Sequence, residues 1–142
     1  MRWTATLSSS GAFSRAWIRI NALFLLVMGT GAALMDLLSY FFAAGAWGDF
    51  LHGQVLAVGP FEAHVLAAIF GVVLLRHART QDRYWNAVAG TIALSLGIAN
   101  LIWFGIFHAT GTVPMGVVVT IIHWVFVAGQ AYSYFTSKPR NP

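Results

Sequence analysis

Cysteine is absent from this chain of 142 residues, and charged residues make up only 8% of it. The absence of cysteine excludes disulfides, dithiol redox exchange, iron–sulfur ligation and covalent attachment of haem through a Cys-x-x-Cys-His motif. An ordinary soluble domain has about a quarter of its residues charged. With 58% hydrophobic residues, the composition is instead typical of a protein embedded in lipid.

Basic residues are few, and their positions indicate a topology. All eight lie in the segments 2–19, 76–83 and 138–140, which long apolar runs separate. The other two connections, 43–59 and 109–113, contain no Lys or Arg. Because short loops rich in Lys and Arg stay on the cytoplasmic side, the pattern predicts a multi-pass protein of the cell inner membrane with both termini cytoplasmic. The basic residues form no clustered face, so nucleic acid is not an expected partner.

The predicted fold is all-α, a single domain over 1–142 that forms an antiparallel four-helix transmembrane bundle, N-in/C-in. A helix needs about 20 apolar residues to cross the hydrocarbon core, and four such runs occupy nearly the whole chain. The predicted spans are about 17–42, 60–77, 84–108 and 113–135.

The connections carry further expectations. Residues 1–14 are polar and Ser-rich and are expected to form a flexible tail. The outer segment 43–59 is too apolar for a plain loop; we expect it to lie in the membrane interface, where aromatic rings are favoured, and its position would allow it to form a lid. The inner turn lies at 80–82. Short connections predict that the second and third spans, and the third and fourth, are antiparallel neighbours.

Polar and small residues share one face of each predicted helix, since they recur at steps of three and four. In membrane bundles, polar side chains face inward and small residues permit close helix contact. The first-span face carries Asn21, Leu25, Met28, Ala32, Asp36 and Ser39. The third carries Asn86, Gly90, Ala93, Gly97 and Asn100, and the fourth Gly116, Thr120, His123, Val127, Gln130 and Tyr134.

A candidate site follows from the depth of these residues. At 1.5 Å per residue from the outer helix ends, Asp36 is about 9 Å deep, His64 about 6 Å, Asn100 about 14 Å and His123 about 15 Å. We therefore predict an outward-opening cavity lined by Asp36, His64, Asn100, Thr120 and His123. Trp103 and Trp124 are deep enough to flank a ligand there.

The residue types in this cavity favour acid–base chemistry, because a histidine and a carboxylate can both donate and accept a proton. Asp36 is the predicted base or counter-charge, His123 the proton donor and Asn100 an orienting hydrogen bond. A carboxyl inside a span costs about 2.5–3.5 kcal/mol on insertion scales and usually marks a site. The alternative is structural: a protonated Asp36 bonded to Asn100 or to a backbone carbonyl.

A metal site is a further hypothesis for the same residues. Asp36, His64 and His123 would suit zinc, manganese or non-haem iron, although no His-x-x-x-His pattern supports it. A bis-histidine haem fits poorly, since the depths of the two histidines differ by about 9 Å. The residues therefore identify no cofactor.

Three classes of function remain open. The leading hypothesis is binding of a small lipophilic ligand in the outer cavity, with acid–base chemistry on it such as a double-bond shift; the sequence leaves open whether the protein is an enzyme. The second is an accessory subunit of a larger membrane complex, without a site of its own. The third is a small proton- or metal-linked transporter. The expected partners are the lipid bilayer, a lipophilic small molecule, and either a second copy or a membrane-complex partner.

Overall fold

The computed structural model describes residues 9–79 and 83–136, and helices make up nearly all of this part of the chain. The helices are α1 (Ser9–Phe42), α2 (Gly48–Leu51), α3 (Val58–His77), α4 (Arg83–Ile102), α5 (Phe104–Ala109) and α6 (Val113–Thr136), with a 3₁₀ turn at Val55–Ala57. Four segments are long and apolar enough to cross a membrane: Gly11–Phe42, Val55–His77, Arg83–Ile102 and Val113–Thr136. The predictions of an all-α fold and of four helices long and apolar enough to span a membrane are confirmed for the described residues. The predicted inner turn at 80–82 and residues 1–8 of the tail lie outside the described residues.

The outer surface of the described bundle is apolar. Large side chains such as Val27, Leu34 and Ile121 are 64%, 57% and 57% exposed. A contiguous surface of this kind would aggregate in water, whereas lipid solvates it. The exposed side chains are therefore those of a multi-pass membrane protein.

The first helix begins eight residues before the predicted span. Ser14, placed by the sequence in a flexible tail, is only 1% exposed. Its Oγ donates to Asn86 Oδ1 at 3.2 Å, and Asn86 Nδ2 lies 2.9 Å from the same Oγ. The hydrogen bonds with Asn86 hold this polar segment against α4, and the polarity of the sequence could not reveal that contact.

The third predicted span is two helices rather than one. Trp103, with φ −99° and ψ 21°, separates α4 from α5. Beyond it, the ring of Phe107 lies directly against Gly116 of α6 and 6.3 Å from the ring of Trp47. The continuous span predicted over 84–108 was therefore wrong at this point. The interruption could not be read from the sequence, because no proline marks it.

Glycine brings α1 and α3 into backbone contact. A Cβ at Gly29 would lie 2.6 Å from Ala68 N and 2.7 Å from His64 O, and one at Gly71 would lie 2.6 Å from Leu26 N. Small residues of this kind let membrane helices approach closely. We call Gly29 and Gly71 the glycine seam.

A second helix pair, α4 and α6, is joined to the first through α1. Gly97 lies against His123 and Trp124, and the ring of Phe24 on α1 is 5.8 Å from His123. By contrast, α3 and α4 contact each other little along their lengths, although the chain joins them directly. The prediction that they are packed neighbours was wrong. A short connection brings only the joined ends together, as in the stacking of His77 on Trp85.

The outer segment folds back over the end of α1 and is not a plain loop. Ala43, with φ 52°, ends α1, and its N–H donates to Ser39 O at 3.1 Å, the pattern of a helix that closes with a left-handed residue. Leu51 of α2 is 1% exposed, and the ring of Trp47 extends to α5. This segment therefore covers the end of the bundle at which α1 terminates.

Candidate functional site

Asp36 and His64 form a hydrogen-bonded pair between α1 and α3. Asp36 Oδ2 lies 2.6 Å from His64 Nδ1, which is short enough for a charge-assisted bond. Asp36 is 5% exposed. The pair forms at this point because the glycine seam holds the two backbones together one to two turns away, where Gly29 lies against His64 O. Of the residues predicted to form the site, these two are brought together.

The geometry of the pair leaves one ring nitrogen available. An ionised carboxylate only accepts hydrogen bonds, so Nδ1 carries the proton when Asp36 is ionised. A neutral ring then presents a lone pair at Nε2. Nε2 has no hydrogen-bond partner within residues 9–79 and 83–136, and the His64 side chain is 33% exposed. A carboxylate that orients an imidazole and stabilises its protonated form is an arrangement suited to general-base chemistry.

His123 lies well away from this pair. Its ring packs edge-on against Phe24, 5.8 Å between centroids. Phe24 precedes Asp36 by twelve residues on α1, which is about 18 Å along the helix axis. The depth estimate from the sequence assumed that the outer ends of the helices are level. The contact with Phe24 shows that α1 extends farther than α6 at the end of the bundle that carries Asp36, so the two side chains are separated.

The remaining predicted site residues do not contact Asp36 or His64 through any described hydrogen bond or ring contact. Thr120 is buried, and its Oγ1 donates to Gly116 O of its own helix at 2.7 Å. Asn100 is half-buried, without a hydrogen bond to the described part of the chain. Trp103 and Trp124 are 64% and 40% exposed, so much of each indole faces outward.

The residues also bear on the metal hypothesis. In the described ranges, 9–79 and 83–136, no three His, Cys, Asp or Glu side chains are grouped closely enough to hold a metal ion. The set of Asp36, His64 and His123 is therefore not assembled. Two of its members are paired with each other, and the third packs against Phe24, twelve residues before Asp36 on α1.

A group of buried polar side chains lies in the other half of the bundle, where the sequence did not predict a site. Asn21, Gln130 and Ser133 are at most 1% exposed, and their side-chain polar atoms have no hydrogen-bond partner within the described residues. Nδ1 of His123 is likewise buried without a partner. Helical spacing indicated that Asn21 and Gln130 face inward, but nothing in the sequence indicated that they lack partners.

The chain was compared with protein-family models, with curated proteins and with solved structures, and none of the three comparisons found a match.

Proposed function

We propose that this multi-pass membrane protein binds a small lipophilic ligand at the Asp36–His64 pair and performs acid–base chemistry on it. The observation that carries the proposal is the 2.6 Å contact between Asp36 Oδ2 and His64 Nδ1, with Nε2 left for a ligand. A carboxylate buried within a span is costly and is usually retained for a site. The roles differ from those expected from the sequence: His64 is the base, and Asp36 orients it.

Acid–base chemistry at this pair needs only the two side chains. Nε2 of His64 takes a proton from an acidified C–H or O–H of the ligand, and Asp36 stabilises the resulting imidazolium through Nδ1–H. Return of the proton to another atom of the same ligand completes a double-bond shift. The ligand reaches Nε2 from the lipid, because the exposed third of the His64 side chain lies at the surface of a largely apolar bundle.

The proposed arrangement in the membrane is an antiparallel bundle with both termini on the cytoplasmic side of a cell inner membrane. The contacts along the glycine seam support opposite directions for α1 and α3. Gly29 lies against Ala68, whereas Gly71, later on α3, lies against the earlier Leu26. The distribution of Lys and Arg supports the orientation, and it puts the Asp36–His64 pair in the outer half.

A subunit of a larger membrane complex is the second candidate. The observation in its favour is that α3 is little buried: only 11% of the most apolar 18-residue stretch of the span Val55–His77 is buried inside the bundle. A helix with so little of its surface covered can present a long apolar face to a partner. In this case the Asp36–His64 pair only fixes how α1 and α3 associate.

Measurement of retained ligand separates the two candidates. The protein is purified in mild detergent, and organic extracts of wild type, Asp36→Asn and His64→Gln are compared by mass spectrometry. Glu62→Gln is the matched control, because Glu62 is exposed on the same helix as His64. We expect wild type and Glu62→Gln to retain the same lipophilic compound. Both site variants should lose it by about tenfold or more, since a hydrogen bond to a charged group contributes about 1.5–3 kcal/mol.

Two results would contradict the ligand proposal. One is a wild-type extract with no compound above the level of bulk lipid. The other is equal retention in Asp36→Asn, His64→Gln and Glu62→Gln. Each variant must also elute as a monodisperse species, so that lost ligand is not confused with lost fold. Equal retention together with co-purification of a stoichiometric partner would favour the subunit.

A further inference from the structure

A groove between α4 and α6 lies at the opposite end of the bundle from the Asp36–His64 pair. Its volume is about 270 Å³. It extends along α4 from Asn86 to Leu94, a length of about 12 Å at the rise of an α-helix. Six of its lining residues present only hydrocarbon or bare backbone: Ala87, Gly90, Leu94, Val127, Ala131 and Phe135. The groove is thus shaped and lined for a hydrocarbon chain.

Arg83 contacts Tyr134, which lines one end of this groove. Its Nε donates to the carbonyl oxygen of Tyr134 at 2.9 Å, and its guanidinium lies over the Tyr134 ring, 4.3 Å from the centroid. Tyr134 itself lines the groove. Two contacts with Tyr134 therefore hold the guanidinium beside one end of the groove.

The positive charge of Arg83 is not neutralised in the described bundle. His64–Asp36 is the one ion pair formed within residues 9–79 and 83–136. A guanidinium has five N–H donors, and the contact with Tyr134 uses only Nε. The sequence around it is also basic, with Arg76, Arg79 and Arg83 against the single acid Asp82. The remaining donors suit a phosphate, which arginine binds in a bidentate manner.

A second polar feature lies one helical turn deeper. Gln130 lines the groove, is 1% exposed, and has neither its amide nitrogen nor its amide oxygen paired within the described residues. Gln130 precedes Tyr134 by four residues, about 6 Å along α6. Gln130 therefore lies between the cationic end of the groove and its far end at Leu94.

We propose that this groove is a binding site for an anionic phospholipid, with the phosphate on Arg83 and an acyl chain along α4 and α6. Basic pockets between membrane helices bind anionic headgroups. The start of α4 adds favourable partial charge, because exposed N–H groups at a helix N-terminus attract anions. The site is separate from the Asp36–His64 pair and does not depend on the function proposed for it.

The test uses the full-length protein in detergent, titrated with dioleoyl phosphatidylglycerol or dioleoyl phosphatidylcholine and followed by native mass spectrometry. Wild type should bind the anionic lipid more tightly. Arg83→Gln should weaken that binding by about fivefold and remove the preference, since one basic group near a lipid surface contributes about 1 kcal/mol. Ala87→Phe, which fills the groove, should weaken binding of both lipids.

Two matched controls accompany these variants. Arg19→Gln removes a basic residue that is exposed on α1, and Ala63→Phe adds the same bulk to an exposed position on α3. Both should bind like wild type. Soluble glycerol 3-phosphate at the same concentration as the lipid should not displace the bound lipid. It has no acyl chain, so the groove cannot contribute to its binding.

Several outcomes would overturn the site. They are equal affinity of wild type for the two lipids, equal losses in Arg83→Gln and Arg19→Gln, wild-type binding by Ala87→Phe, and displacement by glycerol 3-phosphate. A change of oligomeric state in Ala87→Phe without a change in lipid binding would assign the groove to a second copy and also overturn it. If Arg83→Gln does not purify as a monodisperse species, the preference of wild type and the result for Ala87→Phe decide the question.

Discussion

Two buried asparagines in this bundle differ in one respect, namely whether the side chain has a partner. Asn86 is 0% exposed and shares two hydrogen bonds with Ser14. Asn21 is 1% exposed, and neither its oxygen nor its nitrogen has a partner among the described residues. Burial of a polar group without a hydrogen bond costs free energy, so the same residue type should stabilise the fold at one position and destabilise it at the other.

We therefore expect opposite effects from the same substitution. Asn21→Leu removes unpaired polar atoms while keeping the number and branching of the side-chain heavy atoms, and it should raise the free energy of unfolding by about 1–2 kcal/mol. Asn86→Leu leaves the Ser14 hydroxyl buried without its partner and should lower the free energy of unfolding by about 1–3 kcal/mol. Reversible unfolding in mixed detergent measures both. A lower stability for Asn21→Leu would mean that Asn21 contacts a water molecule or a ligand inside the bundle.

At the scale of the helix, the candidate site depends on how closely α1 and α3 approach. Gly29 and Gly31 lie two residues apart on α1. A Cβ at Gly29 would collide with the backbone of α3, whereas one at Gly31 would meet nothing within 4 Å. Alanine substitution at the two positions therefore distinguishes the effect of helix contact on stability from the effect of helix propensity.

Gly29→Ala should force the helices apart and lower the free energy of unfolding by about 1–3 kcal/mol, as overpacking does. Because the glycine seam also positions His64 opposite Asp36, the same variant should retain less ligand. Gly31→Ala should be neutral, or more stable by up to about 1 kcal/mol, since alanine is the better helix former. Thermal unfolding in detergent and the ligand extraction described above measure both effects. Equal stability of the two variants would show that α1 and α3 do not touch at Gly29.

At the scale of the whole molecule, long helices that follow each other along the chain do not all pack together. The long helices form the pairs α1–α3 and α4–α6, joined mainly through α1, while α3 and α4 contact each other little. The candidate site lies within the first pair, and the proposed lipid groove lies within the second. The candidate site and the lipid groove are therefore formed by different pairs of helices.

Topology is the whole-molecule prediction. Reporter fusions after Pro142, or inserted within 80–82, should give a cytoplasmic signal, and insertions at 45–57 or 110–112 should give an external one. The physical reason is the positive-inside rule, because every Lys and Arg lies in the segments assigned to the cytoplasm or at the adjoining ends of the spans. A cytoplasmic signal from either outer segment would reverse the orientation and put the Asp36–His64 pair in the inner half.

Much of the fold could be predicted from the sequence, because a membrane restricts the choices. Lipid offers no hydrogen bonds to the backbone, so a long apolar run must be helical, and the number and approximate limits of the spans follow from run length alone. Helical spacing also placed Thr120, His123 and Gln130 inside, and all three are buried. It failed for Met28, which is 44% exposed, since spacing defines a face of a helix but not what covers it.

The candidate site depended on information that no single helix contains. Composition, the positions of Lys and Arg and the lengths of apolar runs determined that the chain has four spans and which side chains are polar within them. Only the tertiary structure decided that Asp36 meets His64, that His123 packs on Phe24 about 18 Å away, and that Trp103 interrupts the third span. These outcomes depend on axial stagger, which is set where small residues such as Gly29 and Gly71 allow two backbones to touch. Stagger is a property of helix pairs, so it emerges only when distant parts of the chain pack together.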